Sequence, residues 1–188
     1  ARGFELKIDR KFANHFQATF NYDFSFAFGK ASGALDEFNN RATNVPVNYD
    51  EHPLNWDQTH QMNFNAAVMY PKGDHPVLFG FRLPDYWLMS MQWQFGSGRP
   101  YTPSEYTTGL DANLILENSE RYPWWERTNM RVEKYFDYAG IKWIAGLQVY
   151  NLWDKKNVNS LYAETGSPTV AIHPFNPLYN PGLDRTTY

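Results

Sequence analysis

The segment from His15 to Gly29 constrains the fold more than any other part of the chain. One parity of this segment carries mostly polar residues, whereas the other parity carries mostly aromatic residues. The aromatic positions are Phe16, Phe20, Tyr22, Phe24, Phe26 and Phe28. Because successive side chains of a β-strand point to opposite faces, the pattern predicts a strand with one aromatic face and one polar face. Such a strand can line the core of a soluble sandwich, or it can face lipid from the outside of a transmembrane barrel.

Five further stretches alternate in the same way and are predicted to be strands. They cover residues 2–12, 59–70, 86–95, 127–138 and 142–152. Phe64, Trp87 and Trp93 belong to their apolar faces and, with the aromatic positions of 15–29, form the predicted lipid-facing set. A tilted transmembrane strand needs about 9–11 residues, which these stretches supply. The chain is therefore predicted to be all-β, with about six antiparallel strands in up-and-down order.

Short and long connections alternate between these strands. The connections at Ala13-Asn14 and Ala139-Gly140 are very short, whereas residues 30–58, 99–122 and 153–188 form long connections. Long structureless connections are unusual in compact soluble domains. Transmembrane barrels, in contrast, combine short periplasmic turns with long extracellular loops. The alternation favours a segment of such a barrel, although the turn at 71–85 is long for a periplasmic turn.

Composition agrees with a barrel and excludes some other classes. Aromatic residues make up 18% of the 188 residues, which is typical of the aromatic girdles at the two bilayer interfaces. The net charge of -3 gives no basis for a nucleic-acid partner, and the absence of cysteine rules out disulfides. Mean hydropathy is -0.62 and no run of 18 apolar residues exists, so a transmembrane helix is not expected. No signal peptide opens the chain, and we expect an internal piece of a longer protein or a mature form.

The polar face of the predicted strands supplies the candidate lumen-facing residues. These are Gln17, Asn21, Asp23, Asn63, Asn65, Gln92, Gln94, Asn129, Arg131 and Gln148. In a barrel they would contact a plug, ordered water or a solute. A second candidate set consists of aromatic residues near the predicted extracellular mouth, since aromatic rims can stack on sugars or flat chelates. This ligand-binding set contains Tyr101, Tyr106, Tyr122, Trp124 and Trp125. The alternative for Trp124 and Trp125 is a place in the outer aromatic girdle.

A catalytic or metal site is not predicted. His52, Asp57 and His60 lie close in sequence but lack a metal-binding spacing, so solvation of a polar loop is the preferred interpretation. Ser97 lies in GSGRP rather than in the GxSxG of a nucleophile elbow. Arg131 and Glu133 share a parity, which favours a structural ion pair over a catalytic acid. The chain is therefore expected to be no enzyme and to bind no metal or cofactor.

Four stretches together resemble the TonB-dependent outer-membrane receptors. LNWDQTHQMNFN (54–65) resembles the start of a barrel strand in that family, and WQFGSGRPYTP (93–103) is similar to the end of one. NSERYPWWERTNMRVEKYF (118–136) resembles the following return strand. GLQVYNLWDKKNVNSLYAETGSP (146–168) resembles the penultimate strand, with an Asn-Leu-aromatic-Asp-Lys-Lys-Asn run at its outer end.

The resemblance implies that residues 1–188 form one partial domain of a 22-stranded, plugged barrel in the outer membrane of a diderm bacterium. It implies outer-membrane lipid, the remaining strands, a plug domain, the TonB complex and a surface lipoprotein as partners. The implied function is import of a large scarce solute such as a siderophore, vitamin, oligosaccharide or peptide. No plug, TonB box or closing strand is recognised within the 188 residues. Two alternatives remain open: a passive porin or structural barrel subunit, and a soluble β-sandwich binding module.

Overall fold

The computed structural model describes most of the strand regions and part of the connections. The described residues are 1–31, 33, 35, 38, 42, 50–103, 117–162, 165–169 and 186–187. Tyr106, one of the predicted mouth residues, lies outside them, as do large parts of the three long connections. No helix among the described residues is long and apolar enough to cross a membrane.

One antiparallel sheet of six long strands dominates the fold. The strands are β1 (Arg2–Ala13), β2 (Phe16–Phe26), β3 (His60–Tyr70), β4 (Trp87–Gly96), β5 (Trp125–Tyr138) and β6 (Ile141–Val149). Each strand pairs with its neighbours in sequence, in the order β1 to β6. This confirms the predicted all-β, up-and-down arrangement. The sheet is open rather than closed into a barrel, because in the described part of the chain β1 and β6 are its two edges.

Short ladders of two residues on each strand lie outside this sheet. They pair Phe28–Gly29 with His52–Pro53, Val77–Leu78 with Phe81–Arg82, Pro100–Tyr101 with Glu120–Arg121, and Asn157–Val158 with Thr186–Thr187. Three of them belong to the connections that were predicted to be long loops. The described parts of the connections are therefore organised by local pairing.

Two tight turns join the outermost pairs of strands. Asn14 and His15 have φ of 51° and 66°, and Ala139 and Gly140 have φ of 54° and 74°. Positive φ at both central residues characterises the type I′ turns that suit the twist of a hairpin. The second turn lies where the sequence predicts it. The first is shifted by one residue, since Ala13 still pairs with Phe16 and Asn14 is better suited than alanine to positive φ.

The opening aromatic strand ends earlier than the sequence predicts. β2 stops at Phe26 rather than Gly29, because the N–H of Ala27 donates to Asp57 Oδ1 at 2.5 Å and leaves the sheet ladder. The carbonyl of Ala27 accepts the N–H of Leu54 at 2.9 Å. Phe28 is consequently outside the large sheet, in the short ladder with Pro53.

The register aligns residues of one parity across the sheet. Phe20 pairs with Phe64, and Phe64 pairs with Trp93 on the next strand. One residue away, Asn21 pairs with Asn63, which pairs with Gln94. Because paired residues lie on the same side of a sheet, the register produces one continuous apolar face and one predominantly polar face.

The described residues form almost no hydrophobic core of their own. Among the described residues, only Ala27, Leu54 and Leu161 are buried hydrophobic residues. Phe4 and Ile8 on β1 are 57% and 56% exposed, and Trp143 on β6 is 47% exposed. A monomer in water rarely exposes a continuous apolar surface of this kind. Hydrogen bonding along the sheet, rather than burial against a second layer, determines the shape of the described chain.

Candidate functional site

The polar face of the sheet contains a broad hollow of about 610 Å³. The register explains it, since neighbouring strands bring polar side chains into transverse rows at this point. Six of the predicted lumen-facing residues line the hollow: Gln17, Asn65, Gln92, Asn129, Arg131 and Gln148. The arrangement offers amide groups, which can both donate and accept hydrogen bonds, together with the charged side chains of Asp9, Arg10, Lys11 and Arg131.

The other four predicted lumen-facing residues lie on the same face, closer to the long connections. Asn21, Asn63 and Gln94 form one row, in which Gln94 Nε2 lies 3.4 Å from Asn63 Oδ1. Asp23 pairs with Gln61 in the next row. The structure therefore brings all ten residues to one face of the sheet. Their contacts with a plug or a solute remain predictions.

Among the described residues of this face, Glu133 is a buried acidic residue, and neighbouring side chains already form hydrogen bonds with it. Glu133 is 8% exposed and accepts a hydrogen bond from Arg131 Nε at 2.8 Å. The Tyr135 hydroxyl donates to its other carboxylate oxygen at 2.5 Å. The three residues alternate along β5 and so share a side of the strand. A carboxylate held in this way is suited to a structural ion pair, which is the interpretation that the sequence favoured.

The predicted lipid-facing residues follow the opposite face. Phe16, Phe20, Tyr22, Phe24 and Phe26 are on β2, Phe64 is on β3, and Trp87 and Trp93 are on β4. Trp87 stacks on Tyr70 with ring centroids 5.2 Å apart, at the end of the sheet that carries the tight turns. Phe28, which is 49% exposed, is the one member of this set outside the six strands.

Asp57 is the centre of a buried network at the opposite end of the sheet, where the long connections meet. Its side chain is fully buried, and it forms an ion pair with Arg121 in addition to its bond from the Ala27 N–H. The predicted solvation of this loop is therefore wrong for Asp57, because removal of a carboxylate from water requires such partners. The pair joins residues from two separate long connections.

Asn118 and His52 extend this network. Asn118 is 3% exposed, and its amide nitrogen donates to the carbonyl of Pro53 at 2.7 Å and to Asn55 Oδ1 at 2.8 Å. His52 is 5% exposed, contrary to the predicted solvated loop, and its Nε2 lies 3.2 Å from Glu117 Oε1. The described residues contain no group of three or more His, Asp or Glu side chains that could hold a metal ion.

A cleft of about 430 Å³ lies beside this network. Its walls include Gln58, Arg99, Tyr122, Trp125 and Asn159. Gly96 and Gly98 permit the close approach of these walls. A Cβ at Gly96 would collide with the Gln58 amide and the Trp125 indole, and a Cβ at Gly98 would collide with the backbone of Tyr122. The glycines of the GSG sequence thus shape the cleft.

Ser97 has a structural role between these glycines. It is 4% exposed, its Oγ accepts the N–H of His60 at 3.0 Å, and its carbonyl accepts Gln58 Nε2 at 2.9 Å. These bonds tie the end of β4 to the start of β3. Ser97 is therefore a buried residue that holds the two strands together, and it is not exposed as a nucleophile would be.

The predicted mouth aromatics divide between two surfaces. Tyr122 and Trp125 line the cleft, and Tyr101 packs edge-on against Tyr122 with ring centroids 5.2 Å apart. Burial raises the pKa of the Tyr101 hydroxyl, so this group stays protonated. Trp124, in contrast, packs against Phe95 on the apolar face at 5.2 Å. Its position agrees better with the girdle alternative than with contact to a ligand in the cleft.

The Asn-Leu-aromatic-Asp-Lys-Lys-Asn run after β6 has a local structural explanation. Asn151 has φ of 52°, and its side chain exchanges two hydrogen bonds with the backbone of Lys155, both at 3.1 Å. Asn157 exchanges two with the backbone of Glu126, at 2.8 and 3.1 Å. The first asparagine closes a turn and the second attaches the chain beside the start of β5. The positive φ at Asn151 also explains why β6 ends at Val149 and not at the predicted Leu152.

The connection at 71–86 is fixed to the other end of the sheet by charged residues. His15 Nε2 lies 2.5 Å from Asp74 Oδ2, and Lys72 Nζ donates to Asp137 Oδ2 at 2.5 Å. Asp85 Oδ2 accepts the N–H of Gly73 at 2.5 Å. That bond lowers the pKa of Asp85, and the nearby Lys134 lowers it further. Although this turn is unusually long, these hydrogen bonds and ion pairs hold it against the end of the sheet.

Several residues at the end of the sheet where the long connections meet were not predicted from the sequence to belong to a site. Asp57, Arg121, Asn118 and Asn157 are far apart in sequence from their partners, and no short motif marks them. The only local signal is the pair of glycines around Ser97, which indicates close approach of other groups. Comparison with protein-family models, with curated proteins and with solved structures found no match to this chain.

Proposed function

We propose that this chain is part of an outer-membrane transporter of the TonB-dependent receptor type, which imports a large scarce solute. In this proposal the apolar face contacts lipid, and the polar face lines the lumen and contacts a plug domain. Additional strands, from the same protein or another chain, pair with β1 and β6 to complete the barrel. The transporter makes and breaks no covalent bond.

One observation carries this proposal: in the described part of the chain, almost no hydrophobic layer covers the apolar face of the antiparallel sheet. A soluble sandwich would bury that face against a second sheet, about 10 Å away. The described residues instead leave Phe4, Ile8 and Trp143 about half exposed or more. A bilayer is a medium in which such a face is stable, provided that the sheet closes and no strand edge is left unpaired.

The polar face supports a lumen. Its hollow is lined by five amide side chains and by the charged residues Asp9, Arg10, Lys11 and Arg131, so water or a polar plug surface would suit it. The described parts of the long connections lie at one end of the sheet and the tight turns lie at the other, as an extracellular and a periplasmic side would require. In the proposal the outer membrane of a diderm bacterium is the location, and TonB supplies the energy. A surface lipoprotein is a further proposed partner.

The test is carried out on the full-length natural protein in its own cell. We expect it to fractionate with the outer membrane, to require detergent for extraction, and to form a cross-link with TonB. Outer-membrane location without any TonB cross-link would support the passive porin alternative instead. Extraction in the soluble fraction without detergent would overturn the membrane proposal and support the soluble binding module.

A further inference from the structure

The cleft between Tyr122, Trp125 and Arg99 is a ligand site with a definable chemistry. We propose that it binds an acidic sugar, that is, a uronic acid unit of an oligosaccharide. This inference deepens the proposed import function and rests on it, because the cleft lies at the end of the sheet assigned to the extracellular side. The volume of about 430 Å³ is within the range of small-molecule pockets.

The aromatic side chains provide a stacking surface. Tyr122 and Trp125 both line the cleft and are both partly exposed. Tyr122 is supported from the side by Tyr101, and its N–H donates to the Arg99 carbonyl at 2.9 Å. Aromatic rings fixed in this way present apolar faces, on which the C–H face of a sugar ring can pack.

Arg99 supplies a positive charge at the cleft. The other arginine of this region, Arg121, is neutralised by the buried carboxylate of Asp57. Arg99 is exposed, and none of the described acidic side chains lies within ion-pair distance of it. A guanidinium recognises a carboxylate through two parallel hydrogen bonds, so the cleft is suited to a ligand with a carboxylate.

The remaining polar side chains favour a hydroxylated ligand over a metal chelate. Asn159 is exposed at the cleft, and the amide of Gln58 lies in its wall. An amide side chain carries both donor and acceptor groups, and sugar hydroxyls also donate and accept. The oxygens of a ferric catecholate only accept, so they would use the donor group of Asn159 and leave its carbonyl to water. The combination of stacking, one cation and amides therefore selects an acidic sugar.

The walls are fixed before a ligand arrives. Gln58 is 8% exposed and its amide is bound to the Ser97 carbonyl, while Gly96 and Gly98 are in contact with Trp125 and Tyr122. A site held by such buried contacts loses little conformational freedom on binding. This rigidity distinguishes the cleft from an incidental groove between exposed side chains.

The test is isothermal titration calorimetry on the full-length protein, purified from its membrane in detergent. The probes are a tetramer of galacturonic acid, a neutral glucose tetramer, an acidic tetrapeptide and a ferric tris-catecholate. We expect the acidic tetrasaccharide to bind and the neutral one to bind at least about tenfold more weakly, as loss of a charge-assisted hydrogen bond implies. Equal affinity for the two saccharides, or preference for the peptide or the chelate, would overturn the assignment.

Variants locate the binding to the cleft. Arg99→Gln should weaken binding of the acidic tetrasaccharide about tenfold or more without changing that of the neutral one, and Arg82→Gln at the opposite end of the sheet is its control. Trp125→Leu should weaken binding of both, whereas Trp124→Leu, on the other face, should weaken neither. Unchanged affinity in Arg99→Gln would refute the proposal. Because Arg99 is exposed, this variant should fold, which circular dichroism checks.

Failure of this inference and failure of the proposed function give different results. A protein that resides in the outer membrane and cross-links to TonB but does not bind the acidic tetrasaccharide refutes the ligand assignment alone. A protein that binds the tetrasaccharide but is extracted as a soluble protein refutes the import function and leaves the ligand assignment in place.

Discussion

Phe20 and Asn21 are neighbours in sequence, yet the sheet directs them to opposite faces. If the apolar face contacts lipid, Phe20→Lys should lower the free energy of unfolding by about 2–4 kcal/mol, the cost of a lysine near the bilayer midplane. Asn21→Lys should have a much smaller effect, because its side chain would face the polar side. The measurement is chemical unfolding of the full-length protein in lipid vesicles. Similar losses in the two variants would contradict the assignment of the faces.

At the residue scale, the sequence predicts well which face of a strand a side chain occupies. It predicts poorly which residues form hydrogen bonds or ion pairs with each other. The alternation of side chains in 15–29 is enough to assign faces, because a strand has a period of two. It cannot reveal that Asp57 is buried, since its partners Ala27 and Arg121 come from distant segments. A polar residue in a loop-like sequence is usually solvated. That expectation fails here because the fold brings Ala27, Asp57 and Arg121 together.

At the element scale, the connection at 71–86 should respond to acid. The Gly73 N–H and Lys134 hold the pKa of Asp85 below its ordinary value of 3.8. A lowered carboxyl pKa stabilises the folded arrangement above pH 3.8, and this stabilisation is lost as the pH falls through the folded-state pKa. The amide resonance of Gly73 should therefore titrate with a midpoint below 3.8. It should lose this titration in Asp85→Asn, and a midpoint above 3.8 in the natural protein would be contrary to the structure.

The strands were predicted more accurately than the connections, for physical reasons. All six long strands agree with the sequence within a few residues, since alternation extends over each of them. The largest differences are at the ends of β2 and β6, which stop at Phe26 and Val149 rather than at Gly29 and Leu152. At the end of β2, the carboxylate of Asp57 takes the N–H of Ala27 out of the ladder. Likewise, the turn after β6 depends on hydrogen bonds from the Asn151 side chain. Such single side-chain hydrogen bonds determine where a strand ends, and they cannot be predicted from the alternation of polar and apolar residues.

At the scale of the whole molecule, the described part of the chain is a sheet with two edges and two open faces. Backbone groups along the outer sides of β1 and β6 need partners, and the apolar face needs a cover. The strand order was predictable from the up-and-down pattern of connections. Closure into a barrel was not predictable, because β1 and β6 would have to pair with strands other than these six. The barrel is therefore a property of a larger assembly in our proposal.

The two faces can be distinguished directly, because these 188 residues contain no cysteine to interfere with labelling. Any cysteine elsewhere in the full-length protein would be replaced first. Single cysteines at Phe20, Phe64 and Trp93 form one row across three strands, and cysteines at Asn21, Asn63 and Gln94 form the adjacent row. With nitroxide labels on the full-length protein in vesicles, the first row should be accessible to oxygen, which concentrates in lipid. The second row should be accessible to a water-soluble nickel chelate, or shielded from both by a plug. A soluble sandwich would instead shield the first row from both reagents, since that row would be its core. The same pattern must hold on all three strands, because the register fixes their faces together.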